Sequence, residues 1–118
     1  MKSFRERTES VSCTTDGVRE TLYTCPTNCR SRVMIIYGTD AGGGVDVTLE
    51  WYRSSLSTRF YIVKDLSLTL SQSFEFSEKY LVLEPGDRIE VTADGTTPVV
   101  DAICTVEEIF IPVGGSNV

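Results

Sequence analysis

Val45-Asp46-Val47-Thr48-Leu49-Glu50-Trp51-Tyr52-Arg53 alternates apolar and polar residues without a break. Side chains on a pleated strand point to opposite faces in turn, so Val45, Val47, Leu49 and Trp51 share one face and Asp46, Thr48, Glu50 and Tyr52 the other. A helix would scatter both sets around its axis. The stretch therefore predicts a half-buried strand with Trp51 in the core. The same period extends outward in both directions. Before it lie Arg19–Cys25, which stops at Pro26, and Ser31–Thr39, followed by the glycine-rich turn 40–44. After it come the serine-rich turn 54–57, Thr58–Lys64, and Leu66, Leu68 and Leu70 alternating with Ser67, Thr69 and Ser71. Phe74 and Phe76, then Tyr80–Leu83, Arg88–Ala93 and Val99–Ile111, complete the series. Pro85-Gly86 suits the central positions of a type II turn, and Asp94-Gly95 marks the next reversal. No segment of helical length shows a 3.6-residue period. About eight short strands at close spacing predict an all-β fold, an antiparallel β-sandwich or small barrel that is jelly-roll-like.

The chain has 118 residues, enough for one core, with 41% hydrophobic and 24% charged residues. Its net charge of −6 is unsuited to gripping phosphate backbones, so no nucleic-acid partner is expected. The absence of histidine removes His-based acid–base chemistry, Ser-His and Cys-His nucleophiles and His-ligated metals. The longest apolar run, Val33–Tyr37, is far shorter than the ~20 residues of a membrane helix, and residues 1–12 lack the apolar core of a signal peptide. No membrane association and a cytoplasmic origin follow as expectations, with Cys13, Cys25, Cys29 and Cys104 as free thiols. Residues 1–17 lack alternation and read as an extended N-terminal arm. Residues 18–113 form the sandwich, and 114–118 a flexible tail.

Candidate sites are few. Cys25 and Cys29 have a spacing compatible with zinc or with a bridge across a turn, but Cys13 and Cys104 supply no second paired knuckle, and Cys104 shares strand parity with Ala102 and Val106. Glu107 and Glu108 are adjacent in a strand, point oppositely, and cannot form a dyad. Glu84, Asp87 and Glu90 cluster near one reversal without the order of a calcium loop. The Pro85-Gly86-Asp87 turn invites comparison with cupins, whose metal sites need strand histidines that are missing here. No catalytic residue, cofactor or metal is expected. Tyr52 and Tyr61 fall on polar strand faces, suited to stacking on a sugar or to a protein interface. Val33–Tyr37, Val99-Val100 and Ile109-Phe110-Ile111 are apolar on both faces. A small sandwich covers one face with its own core, so the other needs a second cover, from elsewhere in the chain or from another subunit.

Leu22-Tyr23-Thr24-Cys25-Pro26, Leu49-Glu50-Trp51-Tyr52, Tyr61-Ile62-Val63-Lys64, Leu83-Glu84-Pro85-Gly86-Asp87 and Thr105-Val106-Glu107-Glu108-Ile109, in that order, resemble the small β-sandwich virion proteins of tailed bacteriophages, cyanophage and marine phage types included. The resemblance spans residues 20–111. It departs at Cys25 and Cys29, where small polar residues would stand. It implies a non-enzymatic, oligomeric structural protein of the virion, made in the host cytoplasm. Capsid decoration or cement is the favoured role, with a neck, tail or fibre adaptor, or a carbohydrate-binding module at a fibre tip, as alternatives. The implied partners are the major capsid protein or neck and tail proteins, with a homo-oligomer such as a trimer. In that setting the arm would contact a neighbour through Phe4 and Val11 as apolar anchors and Arg5 and Arg7 as ion-pair donors. Met34, Ile36, Tyr52, Tyr61 and Phe110 complete the expected protein interface.

Overall fold

The alternating stretches become strands of two antiparallel sheets in a computed structural model that describes residues 3–77 and 81–112. In chain order these are β1 (Phe4–Cys13), β2 (Arg19–Thr24), β3 (Cys29–Asp40), β4 (Val45–Arg53), β5 (Thr58–Leu68), β6 (Ser73–Phe76), β7 (Leu81–Leu83), β8 (Arg88–Asp94) and β9 (Val100–Phe110). A 3-10 turn, Ser54–Leu56, joins β4 to β5. Among the described residues no helix is long and apolar enough to cross a membrane. Sheet A runs β1-β9-β3-β6, with β7 pairing farther along β3, and sheet B runs β2-β8-β4-β5. The chain crosses repeatedly between the sheets, keeping only the successive pairs β4–β5 and β6–β7 within one sheet, which is the jelly-roll arrangement of an antiparallel sandwich.

The inner faces meet in one core. Val33, Ile36, Val100, Ala102, Cys104 and Val106 of sheet A lie opposite Val47, Leu49, Ile89, Val91 and Ala93 of sheet B, all fully shielded from water. Each buried Ile or Leu stabilises the fold by roughly 1.5–3 kcal/mol relative to an exposed one. Trp51 packs on the rim of this core, its ring 5.7 Å from Phe60 and its indole N–H donating to Asp87 at 3.2 Å. Asp87 is buried because its carboxylate also accepts the backbone N–H groups of Ser54 at 2.9 Å and Glu84 at 3.0 Å. It thereby ties the Pro85-Gly86 turn, where Gly86 takes φ +87°, to the start of the 3-10 turn.

Two differences from the sequence reading matter. Residues 4–13, expected to belong to an extended arm, form β1, an edge strand paired with β9 from Phe4↔Ile109 to Cys13↔Val100. Its alternation is hidden because it lies at the rim of the sandwich, where the inward positions Arg5, Arg7 and Glu9 are polar and only Cys13 is buried. Thr58–Lys64 and Leu66–Leu68 are one strand, bulged where Asp65 takes φ +51° and exchanges hydrogen bonds with Thr48. Tyr80 and the tail 114–118 lie outside the described residues.

Candidate functional site

A bulge in β3 decides what sheet A shows to solvent. The register slips between Val33 and Ile35, so Val33 and Ile36 both face the core while Met34, Ile35 and Tyr37 do not. Antiparallel pairing sets Tyr37 beside Ile103 and Arg32 beside Val82 and Glu107, with Phe4 and Arg30 flanking Ile109. The result is an outer face on which Phe4, Met34, Tyr37, Val82 and Ile109 are each 39–47% exposed. Polar pairs frame them: Thr8 with Thr105 at 2.8 Å, Ser12 donating to Asp101 at 2.7 Å, and Arg32 with Glu107 at 3.2 Å. These large apolar side chains form an apolar patch open to solvent on one face of the sheet.

Sheet B turns a different surface outward. Glu50 and Glu90 stand directly opposite each other on β4 and β8, a repulsive placement unless cations intervene. Three do. Arg19 bridges both carboxylates at 2.9 and 3.7 Å, and Arg59 and Arg88 reach Glu90 at 2.8 and 3.2 Å. Both glutamates are thereby buried. Burial opposes the ionised form of Glu90, but hydrogen bonds and charge from Arg59 and Arg88 outweigh it and hold the carboxyl below the usual range. The guanidinium carbons of Arg88 and Arg59 lie 4.0 and 4.9 Å from the Tyr52 ring centroid. Tyr61, 59% exposed, carries Lys64 over its ring and borders a shallow hollow with Arg19, Glu50 and Asp65.

A third cluster lies between the sheets. Glu108 shares the inward parity of Cys104 and Val106 and is wholly buried. The Tyr23 hydroxyl donates to one carboxylate oxygen, Arg5 donates to the other at 2.6 Å, and Arg7 lies 3.8 Å away. Tyr23 also shares a hydrogen bond with Ser31 at 2.7 Å, and Ser31 meets the Cys25 thiol at 3.2 Å. Burial would raise the Glu108 pKa, but Tyr23 and Arg5 lower it by hydrogen bonding, and the charges of Arg5 and Arg7 add to the effect. Burial, followed by the hydrogen bond to Glu108, drives the Tyr23 pKa upward.

The carboxylates of both clusters are held in their charged form by hydrogen bonds and ion pairs. A general acid needs a carboxyl raised toward neutral pH, whereas Glu90 and Glu108 are lowered. A reactive thiol needs a depressed pKa. Burial instead pushes Cys13 up to about 11 and Cys104 to about 12, and it raises Cys25 and Cys29 as well. All four thiols are free. Among the described residues no group of three or more His, Cys, Asp or Glu is placed to hold a metal. Glu84, Asp87 and Glu90 are separated: Glu84 pairs with Arg30 at 3.1 Å, Asp87 ties the turn, and Glu90 faces outward.

Of the residues expected at an interface, Phe4 and Met34 lie on the outer face of sheet A. Ile36 does not; the β3 bulge turns it into the core, where it is fully buried. Val11 and Phe110 are half-buried against the core, with Arg5 5.3 Å from the Phe110 ring centroid. Arg5 finds its anionic partner in Glu108 of the same chain, and Arg7 pairs with Glu9 at 2.7 Å while reaching Glu108 at 3.8 Å. Tyr52 and Tyr61 share the outer face of sheet B. Sequence reasoning missed the cluster around Glu108, although its parity with Val106 marks it as an inward acid; it also missed the Glu50–Glu90 pair, which depends on strand register.

No protein-family model and no curated protein sequence matches the chain. Solved structures share its fold. A subunit of Bacillus endospore appendages, which form disulfide-linked pili, is similar at TM-score 0.59 and 12% identity, over 95% of this chain and 92% of that one. A chain of the acid-stable capsid of Helicobacter pylori bacteriophage KHP30 is similar at TM-score 0.58 and 11% identity, over 91% and 88%. A chain of infectious bursal disease virus, Gx strain, is similar at TM-score 0.52 and 13% identity, where 99% of this chain covers 33% of the other. At such identities the likeness is one of fold, and subunits of capsids and pili share it.

Proposed function

We propose that the chain is a non-enzymatic structural subunit of a bacteriophage virion, which binds the capsid surface as a decoration or cement protein and assembles with copies of itself. The observation that carries this is the outer face of sheet A, where Phe4, Met34, Tyr37, Val82 and Ile109 stand exposed on a rigid sheet and polar pairs frame them. Such an arrangement, apolar within and polar at the rim, is the anatomy of a protein interface. The fold shared with a chain of a phage capsid, over 88% of that chain, supports the choice of setting. The ionised, paired carboxylates and protonated thiols suit a load-bearing part that needs no reactive group.

The test is co-sedimentation of the purified protein with intact particles, alongside light scattering of the free protein. Tyr37→Asp with Ile109→Asp places charge at two exposed points of the face that do not pair with each other. The double variant should fold, lose particle binding and run at a lower mass than the parent. Undiminished binding and mass would overturn the proposal.

One observation favours a second reading, a carbohydrate-binding module at a fibre tip: Tyr61 offers an exposed ring beside a hollow edged by Arg19, Glu50 and Asp65. Calorimetric titration with host-surface glycans separates the two, since Tyr61→Ala would abolish sugar binding and leave particle binding intact.

A further inference from the structure

Glu108 is fully buried, and both guanidinium groups that reach its carboxylate come from β1, the first strand of the chain. A buried carboxylate stripped of its cations is strongly disfavoured, so every β9 needs a β1 against it. β1 itself contributes little to the core. Of its inward positions Arg5, Arg7, Glu9, Val11 and Cys13, only Cys13 is buried. It is held by the β9 ladder, the Arg5–Glu108 contact, and the Thr8–Thr105 and Ser12–Asp101 hydrogen bonds. All of these would form identically against the β9 of another copy.

The connection to β2 is short and bent. Residues 14–18 turn back through Gly17 at φ +72°, and a Cβ added there would meet Asp94 at 3.3 Å. The Gly17 N–H donates to Ala93 at 3.0 Å, and Asp16 accepts the Gly95 N–H at 3.0 Å. Straightened, five residues reach about 17 Å. A short bent hinge beside a weakly buried edge strand is the local arrangement that permits strand exchange.

We infer that β1 is an exchangeable clamp: in the assembled state the β1 of one copy lies on the β9 of a second copy and supplies the Arg5 and Arg7 that cap its Glu108. This inference rests on the proposed self-assembly and specifies how copies are joined.

The test uses two single variants, Thr8→Cys and Thr105→Cys, whose side chains face each other across β1 and β9. They are co-expressed, one carrying a mass tag, and treated with a short bis-maleimide under native conditions. The four native thiols are buried and protonated and stay silent. Exchange predicts a cross-linked product containing one chain of each kind, and its yield should rise several-fold with Gly17→Val, which disfavours the bent hinge. An oligomer by light scattering without the mixed product overturns exchange and leaves self-assembly through the sheet A face standing. A monomer without the mixed product overturns both.

Discussion

On the outer face of sheet B, Glu90 lies beneath Arg19, Arg59 and Arg88 and is 3% exposed; on the outer face of sheet A, Tyr37 and Ile109 remain 39% and 42% exposed. Both faces rest on the same core and are built from the same kind of strand. Apart from the exposed ring of Tyr61, sheet B satisfies its own outer surface, since Glu50 and Glu90 find arginines within the sheet and the Tyr52 ring is stacked by Arg59 and Arg88. Sheet A leaves large apolar groups in water, which costs free energy until another surface covers them. A face that completes itself contributes to stability; a face left incomplete is free to contribute to association. Substitutions on the two faces should therefore move different observables.

The largest stability effect belongs to sheet B. Glu90→Ala removes the anion that holds Arg59 and Arg88 together and leaves Glu50 with Arg19 alone. The arginines are partly solvated, so the loss falls below that of a fully buried pair, at about 2 kcal/mol. The midpoint of urea unfolding should fall accordingly, while the mass of the assembly stays unchanged. By contrast, Tyr37→Asp with Ile109→Asp, two exposed positions that do not pair with each other, should cost less than about 1 kcal/mol and dissolve the assembly. If Glu90→Ala instead disperses the assembly at unaltered stability, the roles of the two faces are reversed.

Acid provides the next test. Glu90 and Glu108 are both lowered in the folded state, so each contributes stability that is complete above the ordinary carboxylate range and is lost as pH falls through the folded values. Urea midpoints compared at pH 7 and pH 3 should fall. Glu90→Gln should show a smaller fall, since the variant has already lost the titrating group. Protonating Glu108 also weakens the hold of Arg5 and Arg7, so acid should promote release of β1. Hydrogen exchange localised to β1 and β9 would report it.

The contrast between the faces was half legible in the sequence. Period two in Val45–Arg53 placed Trp51 inward and Tyr52 outward, and the two-sided apolar stretch at Val33–Tyr37 pointed to an apolar outer face. Parity arithmetic failed where the backbone broke step. One bulged residue near Met34 sends Ile36 inward, and a bulge at Asp65 joins two apparent strands into one. Nothing in local composition marks either slip, because a bulge is fixed by the partner strand's register. β1 was hidden for a different reason: an edge strand with charged inward positions has no apolar rhythm to detect. The ionic clusters depend on contacts far apart in the chain, such as Arg5 with Glu108 and Arg19 with Glu50, and these follow only from strand order.

Tyr61 and Tyr52 bring the comparison down to a single face and the smallest effect. They are diagonal neighbours on sheet B, where Glu50 pairs with Tyr61 and Arg59 with Tyr52. Tyr52 is clasped by two guanidinium groups, so Tyr52→Ala should cost roughly 1–2 kcal/mol by removing both stacks and exposing Glu90. Tyr61 is 59% exposed, with Lys64 5.0 Å from its ring centroid. Tyr61→Ala should change stability by less than about 0.5 kcal/mol. Paired thermal unfolding of the two variants measures the difference. A marked loss with Tyr61→Ala would mean that its ring is also part of the sealed network, and the hollow beside it would then be a strut of sheet B, closed to a sugar.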